Sequence, residues 1–288
     1  MLLADFIKES SKALEKLYPA PEARSMVLLL CEERLGVMSY THITEPGTVI
    51  PDEDLPLLKE DMKRMLAAEP LQYVLGYTGF CGRTFDIDKR ALIPRAETEM
   101  LCQEAEKMAQ SLAAEGEPLG ILDLCTGSGC IAWTLALDLP GSQVTGVDIS
   151  QEALELAAGQ PFRVRKPAIR PRFITGDILD GALQLPSCKL LTANPPYVMT
   201  REKEEMRANV LDWEPHVAIF APEEDPLVFH RAIVSIAKKV LVPGGAGIVE
   251  MNDLLAEETA ALFRSEGFRD VASVQDFFGR ERFLRFGA

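Results

Sequence analysis

The spacing of apolar residues changes along the chain, and each change marks a boundary. Over the first seventy residues it is helical. Ala23, Met26, Val27 and Leu30 recur at i, i+3, i+4 and i+7 behind Pro21 and Glu22, and Gly36 supplies a stop. A second run after Asp52 puts Leu55, Leu58, Met62, Met65 and Leu66 on one face and ends before Pro70. No strand pattern interrupts this stretch, so it reads as a small helical bundle. From Gly76 the pattern shifts to glycines and short alternating runs (Phe80, Phe85, Ile87), as expected of a β-hairpin.

A helix over Ala96–Ala114 then opens a regular alternation. Strands are expected at Gly120–Leu124, Gln143–Val147, Arg172–Thr175, Lys189–Ala193 and Gly247–Met251, with helices at Ile131–Leu139, Gln151–Ala158 and Pro226–Val240. This order calls for a parallel sheet covered by helices on both faces. Short apolar runs at 271–274 and 282–286 would add an antiparallel edge pair. The expected fold class is α/β: a Rossmann-like sheet behind an N-terminal helical bundle, with a linking hairpin. The expected domains are 1–72, 73–95 and 96–288.

Composition narrows the function classes. Among 288 residues, 44 acids face 30 bases, a net charge of −14. That is the wrong sign for a protein held to nucleic acid by phosphate neutralisation, so no direct nucleic-acid binding is expected. Residues 1–80 hold 8 bases and 13 acids, so the acidity is spread over both parts. The first residues lack the basic start and apolar stretch of a signal peptide, and no run approaches the roughly 18 apolar residues of a membrane span. The expected location is the cytoplasm. Cys31, Cys81, Cys102, Cys125, Cys130 and Cys188 form no CxxC pair and have no histidines at ligand spacing; they read as reduced thiols, and no metal is expected.

Two loops carry candidate chemistry. Asp123-Leu-Cys-Thr-Gly-Ser-Gly lies between the first sheet strand and its helix, where Gly127 and Gly129 allow a tight turn and a close backbone approach to a ligand. Asp148 ends the next strand, where a carboxylate can take both hydroxyls of a ribose. Gly127-x-Gly129-x-x-Ala132 also satisfies a dinucleotide fingerprint. Asp123 argues against that use, because a carboxylate beside the loop repels a pyrophosphate. It suits a cofactor with a sulfonium and an ammonium group, which points to S-adenosylmethionine. The second loop, Asn194-Pro195-Pro196-Tyr197, follows the fourth strand at the carboxyl edge of the sheet. Two prolines fix the backbone so that the Asn194 side-chain oxygen and the Pro195 carbonyl can converge on an –NH2 group, with Tyr197 flat against the planar group that bears it.

Together these loops resemble the amino-group methyltransferases. Pro70-Leu-Gln-Tyr-Val-Leu-Gly, Leu92-Ile-Pro-Arg-Ala-Glu-Thr-Glu, Trp213-Glu-Pro and Leu241-Val-Pro-Gly-Gly narrow the resemblance to the bacterial release-factor glutamine N5-methyltransferases, the HemK-like family, over roughly residues 70–286. The resemblance implies an S-adenosylmethionine-dependent methyltransferase sheet that leaves S-adenosylhomocysteine. It implies cofactor contacts from Cys125, Thr126, Gly127, Ser128, Gly129, Asp148, Asp177, Ile178 and Asn194, beside Asp123. Asn194, Pro195, Pro196 and Tyr197 would bind the glutamine, with Asn194, Pro195 and Tyr197 catalytic. Its protein partner would be a peptide chain release factor, gripped in part by the helical bundle. Apart from the resemblance, a monomer with no membrane partner is expected. Cys125 stands where many relatives have glycine, Ala96 where proline is common and Ile178 where an aromatic is frequent; Glu250-Met-Asn-Asp replaces a Glu-Ile-Gly run.

Other features have plainer readings. Arg163, Arg165, Lys166, Arg170 and Arg172 form a basic stretch that is either a solvated loop or a contact for an acidic surface or RNA. Glu202, Glu204 and Glu205 read as an exposed helix face, and His42, His216 and His230 as surface or packing residues. A ribosomal-protein glutamine or a nucleic-acid adenine amine would also suit Asn-Pro-Pro-Tyr. An adenine would need a basic groove and a base-flipping platform, for which the chain offers no sizeable insert. A dehydrogenase leaves the motif without a role, and a non-enzymatic cofactor-binding module fits poorly with an intact motif.

Overall fold

Alternating helix and strand patterns fold here into two compact units, seen in a computed structural model that describes residues 1–112 and 118–288. One unit comprises Met1–Tyr77 with Met206–Trp213, and the other Thr78–Glu205 with Glu214–Ala288.

The first unit contains α1 (Leu3–Leu14), α2 (Ala20–Leu35), α3 (Thr41–Thr44), α4 (Leu55–Leu66) and α5 (Leu71–Leu75). Leu3, Phe6, Ile7 and Leu14 of α1 pack with Val27 and Leu30 of α2 and with Leu58 and Met65 of α4, as the helical spacing requires. Gly36 ends α2 with φ +65°, a left-handed cap that a side chain would strain. Arg34 and Arg64 both donate to the Val74 carbonyl at the end of α5, at 3.0 and 3.2 Å, and are themselves paired with Asp61 and Glu69. The cations thereby satisfy a helix terminus that would otherwise leave a carbonyl unpaired. Residues 206–213 join this unit through Arg207, which donates to both Glu22 oxygens at 2.7 Å, and through Trp213 Nε1, which donates to the Ala67 carbonyl at 3.1 Å.

The second unit begins in the hairpin β1 (Tyr77–Phe80) and β2 (Arg83–Asp86), followed by α6 (Ala96–Leu112). The expected end of that helix, at 113–114, lies outside the described residues. Then come β3 (Gly120–Leu124), α7 (Cys130–Asp138), β4 (Gln143–Asp148), α8 (Gln151–Gly159), β5 (Arg172–Thr175), β6 (Cys188–Ala193) and β7 (Val198–Met199). After α9 (Ala208–Leu211), which packs with the first unit, follow β8 (Phe220–Ala221), α10 (Val228–Val240), β9 (Leu241–Glu250), α11 (Ala256–Ser265), β10 (Arg269–Gln275) and β11 (Glu281–Gly287).

Seven strands form one sheet in the order β10-β11-β9-β6-β3-β4-β5, with β11 antiparallel to both its neighbours. Leu101, Ile131 and Trp133 bury one face of the sheet, together with Phe80 and Phe85 of the hairpin; Ile233, Phe263 and Phe286 pack on the other side. Burial on both faces explains why the central strands read as unbroken apolar runs. β9 starts six residues earlier than its apolar run suggests, because Leu241-Val-Pro-Gly-Gly enters the strand through an irregular register at Gly244, where φ is +70°. The strand order reverses between β3 and β6, where Leu124 pairs with Ala193. Both loops singled out in the sequence therefore leave the carboxyl edge of the sheet side by side, at the switch point where open α/β sheets bind ligands.

Candidate active site

A cavity of about 440 Å³ opens at that edge. Cys125, Thr126, Gly127 and Ser128 line it from the loop after β3, Asp148 from the end of β4, Asp177 and Ile178 from beyond β5, and Asn194 and Pro196 from the loop after β6. Nine of the residues singled out in the sequence are thus brought to one space.

The loop after β3 is shaped by its backbone. Cys125, Gly127 and Gly129 all have positive φ, at +58°, +53° and +78°. The left-handed value at Cys125 is one that glycine adopts freely, whereas a side chain there costs about 1–2 kcal/mol. A Cβ on Gly127 would meet no atom within 4 Å, whereas one on Gly129 would lie 2.9 Å from Ala157 Cβ and 3.1 Å from Trp133 Cδ1. Gly127 thus leaves the ligand side open. Gly129 does not line the cavity, and its bareness lets the loop close on α7 and α8. Gln160, which sequence reasoning passed over, is buried beneath: its Nε2 donates to the carbonyls of Ser128 and Asp86, and its Oε1 accepts from Asp86 N.

Asp123 corrects an expectation. Its carboxylate is fully buried and does not line the cavity; it accepts from Thr126 Oγ1 at 2.5 Å and from Thr192 Oγ1 at 2.8 Å. Desolvation pushes its pKa up to about 7, opposed by the hydroxyl donors. It braces the loop from below. Asp148 does face the cavity, where Gly127 N and Ser150 N each donate to one of its oxygens, at 2.8 and 2.9 Å. Those bonds fix the carboxylate and leave further lone pairs for two hydroxyls. The buried Ser128 hydroxyl has only the weak Cys130 thiol as a side-chain partner among the described residues, and Ile149, Ile178 and Leu179 supply an apolar wall. The Cys125 thiol is held well above its ordinary pKa by burial, then by nearby carboxylates, and stays neutral.

The loop after β6 is held by side chains. Tyr197 O–H donates to Glu250 Oε1 at 2.7 Å, Thr98 Oγ1 donates to Glu250 Oε2 at 2.9 Å, and Asn194 Nδ2 lies 3.4 Å from Thr98 Oγ1. Pro195 and Tyr197, both expected at the reacting group, do not line this cavity. Tyr197 is turned towards Glu250, and its pKa is well above the phenolic range through burial and then that carboxylate. Glu250 is itself raised by burial, against the pull of its two hydroxyl donors and of Arg282. Beyond the motif, Val198 N donates to Ile219 O, and β7 pairs with β8. Asn252 Nδ2 donates to Tyr197 O at 3.2 Å and to Glu202 at 2.8 Å, and Glu202 also accepts from Met199 N. Glu202 is therefore a clamp and not part of an exposed acidic face.

The remaining candidates fall into place around this centre. Glu214 of Trp213-Glu-Pro is buried and accepts from Ile93 N and Arg95, which ties two family motifs together. His230 packs inside with its pKa lowered to about 4 by burial, and donates from Nε2 to the Glu250 carbonyl. In the basic stretch, Arg170 lies 4.7 Å from the Trp133 ring centre and donates to Ala158 O, so it caps α8, while Arg163, Arg165, Lys166 and Arg172 remain exposed.

Comparison with known proteins decides the family. Residues 5–76 match the family model described as "PrmC N-terminal domain", and residues 121–212 match "Methyltransferase domain". A release factor glutamine methyltransferase of Bacteroides thetaiotaomicron is 34% identical over 275 residues, covering 95% of each chain. This chain belongs to the release factor glutamine methyltransferases. A second member, from Flavobacterium psychrophilum, is 31% identical and covers 99% of both chains. A solved structure titled protein-(glutamine-N5) methyltransferase (release factor-specific), from Alicyclobacillus acidocaldarius, is 27% identical, covers 70% of this chain and 98% of its own, and has a TM-score of 0.42. As in this family generally, the chain is a methyltransferase that depends on S-adenosylmethionine. Among the described residues no helix is long and apolar enough to cross a membrane.

Proposed function

We propose that this protein transfers a methyl group from S-adenosylmethionine to the side-chain nitrogen of the GGQ glutamine in peptide chain release factors. The observation that carries the reading is the meeting of Asn194 with Asp148 and the loop after β3 around one cavity. Asp148 would hold the ribose hydroxyls, Ile178 and Asp177 the adenine, and the 125–129 loop with Ser128 the methionyl end. Asp148, Asp177 and Glu152 outnumber the two bases on the lining, Lys89 and Arg90, and Arg90 is paired with Asp88. That charge suits a cationic ligand better than a pyrophosphate. When bound, S-adenosylmethionine supplies an electrophilic methyl on sulfur and leaves as S-adenosylhomocysteine.

An amide nitrogen is a poor nucleophile because its lone pair is shared with the carbonyl. Asn194 Oδ1 and the Pro195 carbonyl would accept its two N–H bonds, which localises the lone pair and aims it at the methyl carbon. Tyr197, anchored through its hydroxyl, would hold the amide plane, and Pro196 would shape the wall. Positioning and fixed dipoles then supply most of the acceleration. The surplus proton leaves to water, so no general base is required. We place the protein in the cytoplasm as a monomer, with residues 1–72 gripping the release factor, 73–95 linking, and 96–288 performing the transfer.

Incubation with labelled S-adenosylmethionine and separately purified release factor, ribosomal proteins and DNA tests the reading. Label on the release factor, lost when its acceptor glutamine is replaced, is the expected result. Label on DNA alone overturns it.

A further inference from the structure

Asn194 carries an oxygen and an –NH2 at nearly equal reach, and only one of them serves a glutamine nitrogen. If the amide were turned over, two N–H donors would face the acceptor and would suit a carboxylate instead. Something must hold the amide one way round.

The structure assigns that task to Thr98 and Glu250, which set the orientation of Asn194 and so make the site choose an amide over a carboxylate. This deepens the function proposed above and rests on it. The direction of the chain of bonds carries the inference. Glu250 is fully buried at the end of β9, and two hydroxyls meet its two oxygens, Tyr197 at 2.7 Å and Thr98 at 2.9 Å. Arg282 and the two hydroxyl donors favour the ionised form of Glu250, and an ionised carboxylate can only accept, so the single Thr98 proton is committed to it. What Thr98 Oγ1 can still offer Asn194 is a lone pair, and that binds Nδ2, here at 3.4 Å, and repels Oδ1. Thr98 also lines the cavity beside Asn194, so the contact borders the space where the reaction takes place. Arg282, whose guanidinium carbon lies 5.9 Å from the Tyr197 ring centre, supplies positive charge behind the carboxylate. Contacts of this length commonly tighten once substrate is in place. Thr98 and Glu250 are positioning residues: they act on the acceptor through Asn194. A site that leaves a polar group mismatched can reject a near-isosteric analogue by large factors, whereas shape alone separates Gln from Glu poorly.

Binding of a release factor carrying either Gln or Glu at the acceptor position, measured by calorimetry with S-adenosylhomocysteine present, tests the inference. The wild type should prefer the Gln form. Thr98→Val keeps the shape but removes both the proton and the lone pair; it should narrow that preference about tenfold and lower kcat roughly 10- to 100-fold, with cofactor affinity unchanged. Thr98→Ser restores the hydroxyl and should restore both. Glu250→Gln is a second route, because its –NH2 can donate to Thr98 and free the threonine proton for Asn194 Oδ1; it too should narrow the preference. Full retention of the Gln preference in either variant, folded by circular dichroism, overturns the inference. A wild type that neither methylates nor prefers the Gln form instead overturns the function on which it rests.

Discussion

The two loops at the switch point stand on adjacent strands, and each lies over a buried carboxylate that accepts two hydroxyl bonds. Asp123 takes those of Thr126 and Thr192; Glu250 takes those of Thr98 and Tyr197. The resemblance ends there. The loop after β3 gets its shape from positive φ angles, and its Gly127 amide fastens Asp148, so its fit to a ligand is written mostly in the main chain. The loop after β6 is stiffened by prolines and by bonds from Thr98, Glu250, Asn252 and Glu202, so its chemistry is written in side chains. A cofactor that is the same in every turnover can be held by backbone shape. An acceptor that must be told from its near-isosteres needs donors and acceptors of fixed sense.

Substitutions should therefore separate the two regions. Asn194→Ala should give the largest effect, a loss of about 10³-fold in kcat with cofactor affinity preserved, at the upper end of what removing a transition-state dipole costs elsewhere. Calorimetry showing lost cofactor binding would mean that the loops are not separable. The next effect is a pH dependence beneath the first loop. Asp123 has its pKa raised in the folded state from 3.8 to about 7, so the native protein binds more protons between those values. The stability it contributes is complete below pH 3.8 and is lost as pH rises through about 7, a difference of up to about 4 kcal/mol. Asp123→Asn should remove that slope; denaturation curves for variant and wild type that run parallel from pH 4 to 8 would contradict it.

Gly129→Ala should follow, at about 3 kcal/mol of stability, from a left-handed residue and a Cβ driven against Ala157 and Trp133. A normal melting temperature would show that the loop can yield. Asp148→Ala should be smallest, weakening cofactor affinity roughly 30-fold while sparing the acceptor side. An unchanged dissociation constant would remove Asp148 from the site.

The same contrast explains what could be read from the chain. β3, β4 and β6, Gly127 and Asp148, and the placing of Asn194 beside the first loop were legible because they follow from local spacing and from the strand order that such spacing implies. The side on which Asp123 points was not, since a carboxylate beside a glycine loop has the same sequence whether it faces a ligand or braces the turn. Thr98 and Glu250 lie 152 residues apart, and only the packing of α6 near the end of β9 brings them together. Glu202 looked like one of three solvated acids because its partners, Met199 N and Asn252, come from the short strand β7 and from a residue fifty positions on.

The anchoring of the acceptor loop on both sides has a kinetic consequence. Val198 N–H is held by Ile219 and Met199 N–H by Glu202, so each amide exchanges its hydrogen with solvent only when its own bond opens. These two amides should exchange more slowly than those of unbonded loops, and the loop should fluctuate little between turnovers. Most of the reorganisation needed to align the acceptor is then completed when the chain folds, and only the short adjustment of Asn194 against Thr98 is left to each turnover.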